Sequence, residues 1–399
     1  MSNSPHIDRR SVLKAAAGLA AATGTGLGVV TPAVAAPRLL QQGTPLCQQP
    51  GDSASQQGLG CGDLAIPYFR QHDNSWGYVF GDSWRGMQQG GGDDYLGSPL
   101  MLNQAGFDPS GGTPISFTWA MPTTGQAGQL FPYHTRADNG LGYEISRIPN
   151  DCIEFGGRTY IQYTSVATWG GPKDPPLPDG HDGSLMSGVA YSDDYGVSWQ
   201  DFPYHWDGDF KGINQSLYGM WSFAGIDPDG WLYIFSKRWN GSHLNLGDKG
   251  EIQLFRIQPN DFHDGNFGAQ QNWAYLGGTW QWTTSAPPTV LFPSDNNIGE
   301  FSVKRIGDTY CMSYFDCGDY SIRTRTAPRP DRAWSQPLTQ IVGDPTKPGH
   351  AGKPVVPVLY GGYIHPGSAS ATSLTVIVSQ WDGRTPAPYR VLQFDGINP

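Results

Sequence analysis

Five short segments of this 399-residue chain share one shape. They are YVFGDS at 78–83, YIQYTS at 160–165, LYIFSK at 232–237, YCMSYF at 310–315 and TVIVSQ at 375–380. Each is an aromatic and β-branched run that ends in small or polar residues, the composition of a half-buried strand. Their centres, Val79, Ile161, Ile234, Met312 and Ile377, are 82, 73, 78 and 65 residues apart. A strand unit repeated around a chain reads as blades or solenoid turns before any other architecture, because one unit cannot bury its apolar faces alone. Propeller blades need about 40–50 residues, so the excess belongs in loops.

The flanking residues extend the unit. GCGDLAIPYF, SRIPNDCIEF, WSFAGIDPDG, GEFSVKRIGD and PVVPVLYGGYI each precede a marker, with tight turns such as Asn74-Ser75 and Asp229-Gly230 between. GVAYSDDYGVSW, EIQLFRI, YSIRTRTAP and YRVLQFD follow as third strands. The 54 glycines and 33 prolines punctuate many short strands, and no long 3.6-residue period follows the leader. The reading is all-β, a five-bladed β-propeller over residues 61–399, with a two-sheet sandwich as the alternative. Residues 36–60 are a flexible lead-in or a strap that closes the ring. Ser192, Asp194, Gly196 and Trp199 fit the S-x-D-x-G-x-x-W hairpin of sialidase-like propellers, a mark of fold and not of chemistry.

Residues 1–35 resemble a twin-arginine export signal. Arg9 and Arg10 precede an Ala/Gly-rich run, Ala15–Val30, and Ala33 and Ala35 give the A-x-A cleavage pattern, with Asp8 where Ser or Thr is usual. That run is shorter than the roughly 20 apolar residues of a membrane span. The resemblance implies handling by the twin-arginine export machinery and a secreted or cell-surface protein, with no membrane insertion once the leader is gone. The net charge of −10 gives no basic footprint for nucleic acid. Of the five cysteines, Cys47 with Cys61 and Cys311 with Cys317 are the pairs nearest in sequence, leaving Cys152 over.

In a propeller the loops that enter the inner strands share one mouth of a central channel. Asp63 opens the first unit, Asp82 follows its second strand, and Glu300 opens the fourth. Each is also a turn former or strand cap beside a glycine. Trp84, Trp221, Trp239 and Trp381 are candidate sugar platforms, although most of the 14 tryptophans must pack between sheets, and His365 is a candidate lining residue. No histidine pair has metal-ligand spacing, Asp295-Asn296-Asn297 does not fit a calcium loop, and neither metal nor cofactor is expected.

GDLAIPYF, YVFGDSW, GEFSVKR, YFDCGDYSIRTRTAP and SQWDG together resemble a bacterial propeller family first grouped as a domain of unknown function. Its members are endo-D-arabinanases, glycoside hydrolases that cut the D-arabinan of mycobacterial cell walls. The family's T-D-L-G stands here as Gly62-Asp63-Leu64-Ala65, and its F-G-D-T as Phe80-Gly81-Asp82-Ser83. The resemblance implies a secreted enzyme acting on the arabinan of arabinogalactan or lipoarabinomannan, with Asp63 and Asp82 as the leading catalytic pair and Glu300 behind them. The alternatives are a non-catalytic propeller that binds cell-wall glycan or protein, and a sialidase, which needs an arginine triad for its substrate carboxylate.

Overall fold

The computed structural model describes residues 43–90, 94–108, 113–133, 143–169, 183–208, 217–239, 251–293, 297–382 and 388–399. The leader, with Arg9 and Arg10, lies outside the described residues, as do Asp295 and Asn296. Among the described residues, five antiparallel sheets of four or five strands carry the structure, with two smaller sheets beside them. The first joins Ile66–Arg70, Ser75–Phe80, Leu100–Gln104 and Trp119–Ala120. The second joins Ser146–Phe155, Arg158–Val166, Ser184–Ser192 and Gln200–Asp207. The third runs Met220–Ile226, Leu232–Lys237, Gln253–Ile257, Gln271–Leu276 and Thr279–Thr283. The fourth holds Ile298–Ile306, Thr309–Asp316, Ser321–Ala327 and Leu338–Val342. The fifth holds Leu359–Ile364, Leu374–Trp381, Tyr389–Ile397 and, from the other end of the chain, Thr44–Pro45.

The first strand of every sheet touches the first strand of the next, and that of the fifth returns to the first. This cyclic order is propeller-like, and it removes the two-layer sandwich from consideration. Side-to-side contacts set the direction of these inner strands. Phe223 N donates to Asp151 Oδ2 at 2.8 Å, Lys304 Nζ to Phe223 O at 3.1 Å, and Ile364 N to Ser302 Oγ at 3.2 Å. Val303 N donates to Ser222 Oγ at 2.8 Å, one residue before the Phe223–Lys304 contact, and Ser146 and Glu154, at the two ends of the second inner strand, meet Asp82 and His72 at the matching ends of the first sheet. These inner strands therefore run the same way, and their starts share one end of the ring.

The apolar core lies between neighbouring sheets. Tyr78, Phe80, Leu102 and Ile377 fill the seam of the first and fifth sheets, while Tyr160, Trp206, Phe223 and Phe255 fill that of the second and third. A buried ion pair crosses the ring itself. Lys304 Nζ meets Asp151 Oδ2 at 2.6 Å, and the same carboxylate accepts from Ser222 Oγ at 2.8 Å. With both partners buried, the extra donors are what make the pairing tolerable in a low-dielectric interior.

Thr44 and Pro45 pair with Gln393 and Leu392, so the segment after residue 43 is a ring-closing strap and not a flexible lead-in. The hairpin of Ser192–Trp199 forms as its motif requires. Asp194 Oδ1 accepts from Ser192 Oγ and from Ser198 N, both at 2.8 Å, and Trp199 Nε1 donates to Gly196 O at 3.1 Å. It joins the two outer strands of the second sheet, away from the ring.

All five cysteines are free thiols, contrary to both sequence pairings. Cys311 lies within the extended strand Thr309–Asp316 and Cys317 just after it, which holds their Cα atoms about 20 Å apart, far beyond disulfide reach. Cys47 donates its Sγ–H to Gly62 O at 3.7 Å, and burial pushes its thiol up to about 12.

Candidate active site

Asp63 stands in the turn between Cys61–Gly62 and the inner strand Ile66–Arg70. The turn is strained, because Leu64 and Ala65 both adopt left-handed φ values, 67° and 49°, without being glycine. Its backbone is held from two directions. Leu64 N donates to Ser379 Oγ at 3.0 Å, and Gly81 N donates to Asp63 O at 3.1 Å. The Asp63 side chain is only 6% exposed. Tyr360 Oη donates to its Oδ2 at 2.7 Å, and Tyr389 supplies a second phenol hydrogen bond. A Cβ at Gly81 would overlap Asp63 Oδ1, so the glycine of the Phe80-Gly81-Asp82 run is dictated by this close approach.

Asp82 follows the second strand of the first sheet and is half-buried. Its Oδ1 accepts from Tyr95 Oη at 2.8 Å and from Ser146 Oγ at 2.9 Å. Tyr133 Oη lies 3.0 Å from Tyr95 Oη and accepts from Ser98 N at 2.6 Å, which extends the hydroxyl chain. Tyr95 keeps part of its ring in solvent while its hydroxyl turns inward. Burial first, then the Asp82 charge, raises both phenols above their ordinary range.

The two carboxylates share a neighbourhood. Burial, then Asp63, then Tyr360 and Asp82, push the Tyr389 phenol well above its usual value, so the fields of both acids converge on it. Trp84 packs against Tyr389 at 5.1 Å and against Tyr95 at 5.2 Å. It is therefore a buried wedge between the two hydroxyl shells, which leaves no open face for a sugar. Trp381 joins this cluster, half-buried, and its indole N–H is buried without a hydrogen-bond partner among the described residues.

The other expected residues are placed differently. Glu300 is half-buried at the irregular start of the fourth inner strand, the same end of the ring as Asp63 and Ser146. Trp239 is also at this end but buried, 6.4 Å from Trp169. Trp221 is wholly enclosed between the second and third sheets, with Nε1 donating to Tyr218 O at 2.9 Å, and serves the core. His365 ends the fifth inner strand, at the opposite end of the ring, and is fully buried. Tyr78 Oη donates to Gln104 Oε1 at 2.9 Å, so it accepts from His365 Nε2 at 3.0 Å, while Gly367 N donates to His365 Nδ1 at 3.0 Å. The ring is a neutral Nε2–H tautomer, and burial lowers its pKa to about 3. A cavity of about 260 Å³, lined by Tyr68, Glu154, Phe223 and Lys304 among others, opens at that far end.

No group of three or more His, Cys, Asp or Glu side chains suited to a metal occurs among the described residues. Tyr95, Tyr133, Tyr360, Tyr389 and Ser146 were not among the sequence candidates. Each is an ordinary strand or loop residue until the ring brings it to a carboxylate.

The fold and site thus define an all-β, propeller-like protein with two aspartates held in tyrosine-rich shells at one end of a strand ring. The chain belongs to the family described as a domain of unknown function, DUF4185, which matches residues 48–395. It is 30% identical over 346 residues to notoamide biosynthesis cluster protein J of Aspergillus sp. (strain MF297-2), covering 83% of this chain and 82% of that one. It is 31% identical over 182 residues to an uncharacterized 35.9 kDa protein of Mycolicibacterium smegmatis, covering 43% of this chain and 49% of that protein. Among solved structures, a Bacteroides ovatus protein provisionally assigned as a hydrolase superposes with a TM-score of 0.56 at 13% identity. That likeness spans 92% of this chain and 97% of the other, and it is a likeness of fold.

Proposed function

We propose that this protein is a glycoside hydrolase that cuts the D-arabinan of mycobacterial-type arabinogalactan or lipoarabinomannan at internal linkages, and that its five sheets are the blades of a five-bladed propeller. The observation that carries the reading is the closeness of Asp63 and Asp82 at one end of the ring, where Gly81, the residue before Asp82, donates its N–H to Asp63 O at 3.1 Å and lies against Asp63 Oδ1. Glycosidic cleavage needs one carboxylic acid to protonate the leaving oxygen and one carboxylate to act at the anomeric centre. Asp63, fixed in the buried turn and hydrogen-bonded by two phenols, suits the base or nucleophile, the role that most needs a set position. Asp82, nearer the surface, suits the acid that must regain a proton from solvent after each turnover. Glu300, at the same end, is a third carboxylate available to the substrate. Trp381 is the aromatic best placed to meet a sugar. The provisional hydrolase assignment of the Bacteroides ovatus protein agrees with this chemistry. The arginine pair Arg9–Arg10 and the A-x-A pattern support export through the twin-arginine route to the cell surface or medium, where such a glycan lies.

The test is incubation of the purified protein with mycobacterial arabinogalactan, followed by oligosaccharide profiling. A ladder of short arabino-oligosaccharides is expected. Release of monosaccharide alone would make the enzyme exo-acting, and no release would replace hydrolysis with glycan binding.

A further inference from the structure

Among the described residues, the third sheet alone carries a fifth strand, Thr279–Thr283, turned back on Gln271–Leu276. The turn is Gly277-Gly278, with φ values of 58° and 90°, as a tight two-residue hairpin requires. The register sets Trp273 opposite Trp282 and Tyr275 opposite Trp280, so four aromatic rings share one face. Trp273 and Trp280 lie stacked at 5.8 Å and 16°. Arg256 is held over both Trp231 and Trp282 at 4.2 Å and donates to Gln271 Oε1 at 2.8 and 3.0 Å. This fixes the base of the cluster. Tyr275 and Trp280 nevertheless remain 52% and 41% exposed.

Cross-strand pairing explains the buried rings but not why the two outermost are left in water at the rim of a sheet. The charge distribution supplies the missing constraint. From 271 to 293 there is no Asp, Glu, Lys, Arg or His, in a chain with 15% charged residues. The hairpin itself therefore offers no ion pair to an anion or a charged peptide, and the cation beside it, Arg256, is already engaged by Gln271 and two indole faces. It matches an uncharged ligand that presents flat arrays of C–H bonds to the negative face of an aromatic ring. Neutral polysaccharide has that character.

We propose that the hairpin 271–283, through Tyr275 and Trp280, is a second glycan-binding site for neutral polysaccharide, separate from Asp63 and Asp82. It would hold a long chain on the protein while another stretch is at the ring, raising the local concentration of linkages without touching the reacting bond. The proposal stands apart from the proposed hydrolysis, since it concerns binding at a different surface.

The experiment uses full-length protein with the Asp63→Asn change, so that no probe is degraded. Its retardation is measured in native gels cast with mycobacterial arabinogalactan, xylan or dextran. At least one of these should retard it, and Tyr275→Ala/Trp280→Ala should weaken that affinity by about tenfold or more, the loss expected of two stacking rings. Tyr275→Phe/Trp280→Phe should restore most of it. With Asp63 intact, the alanine pair should leave cleavage of short arabino-oligosaccharides unchanged while slowing that of arabinogalactan. Retardation by xylan or dextran alone, lost in the alanine pair, would sustain the second site and leave the question of the hydrolysed glycan to the cleavage assay. Retardation by none, equal retardation of the folded alanine pair, or a dimer in sedimentation that the alanine pair dissolves would overturn the proposal.

Discussion

Tyr360, at the start of the fifth inner strand, donates its phenol hydrogen to Asp63 across 297 residues of sequence at 2.7 Å. The carboxylate is thus completed by the sheet that closes the ring. Tyr360→Phe keeps the ring in the core and removes one donor. Activity on arabinogalactan should fall by roughly 10- to 100-fold, within the range for groups that set a catalytic proton. The acid limb of the pH–rate profile should move to higher pH, because a carboxylate that loses a donor to its charged form protonates more readily. An unchanged profile would make Tyr360 a packing residue only.

Asp63→Asn and Asp82→Asn should each fold and each lose at least about 10²-fold in activity, the lower end for positioned acid–base groups. The double variant should be little worse than the poorer single one, since groups acting as a unit are not additive. Hydrolysis and thermal midpoint are measured together. Full activity in a folded Asp82→Asn protein would reduce Asp82 to a turn residue.

Lys304→Met should destabilise the protein by about 3–5 kcal/mol, because it strands the buried Asp151 carboxylate that Lys304 now meets at 2.6 Å. Pairing it with Asp151→Asn should recover part of the loss, since the two sites are directly coupled. Denaturant melts read both. A Lys304→Met protein as stable as the parent would show that the pair contributes little to the ring.

His365 gives a pH prediction with a definite sign. Its folded pKa is lowered to about 3 by burial, against an ordinary value near 6.5 in the unfolded chain. Between these values the unfolded state binds the extra proton, so stability rises with pH and is lost as pH falls from about 6.5 toward 3. His365→Gln should remove about one proton from that slope, measured by thermal melts across pH 4 to 7. An identical slope would mean that the ring is charged in the fold.

The fold was largely legible because its signal is local. All five markers, Val79, Ile161, Ile234, Met312 and Ile377, fall in the second strand of a sheet, and SRIPNDCIEF coincides with the inner strand Ser146–Phe155. Strand composition and turn residues act over a few positions, and sequence displays them. Of the candidate site, only Asp63 and Asp82 were legible. Their shells come from Tyr95, Tyr133, Ser146, Tyr360 and Tyr389, whose roles depend on ring closure and on no short-range pattern. The same limit misassigned Trp221 and His365. A tryptophan at a blade seam and one at a pocket look alike in sequence, and only burial separates them.

The strand Tyr389–Ile397 bears the second phenol on Asp63, and it is clasped on its outer side by Thr44–Pro45. The centre of the molecule is therefore the last part that synthesis can supply. A nascent chain can build four sheets and still lack a competent carboxylate, because both hydroxyls for Asp63 emerge from the ribosome some three hundred residues after it. Such distant pairings are slow to form. The Asp63 shell, on this arrangement, is assembled only once the strand Tyr389–Ile397 has been made.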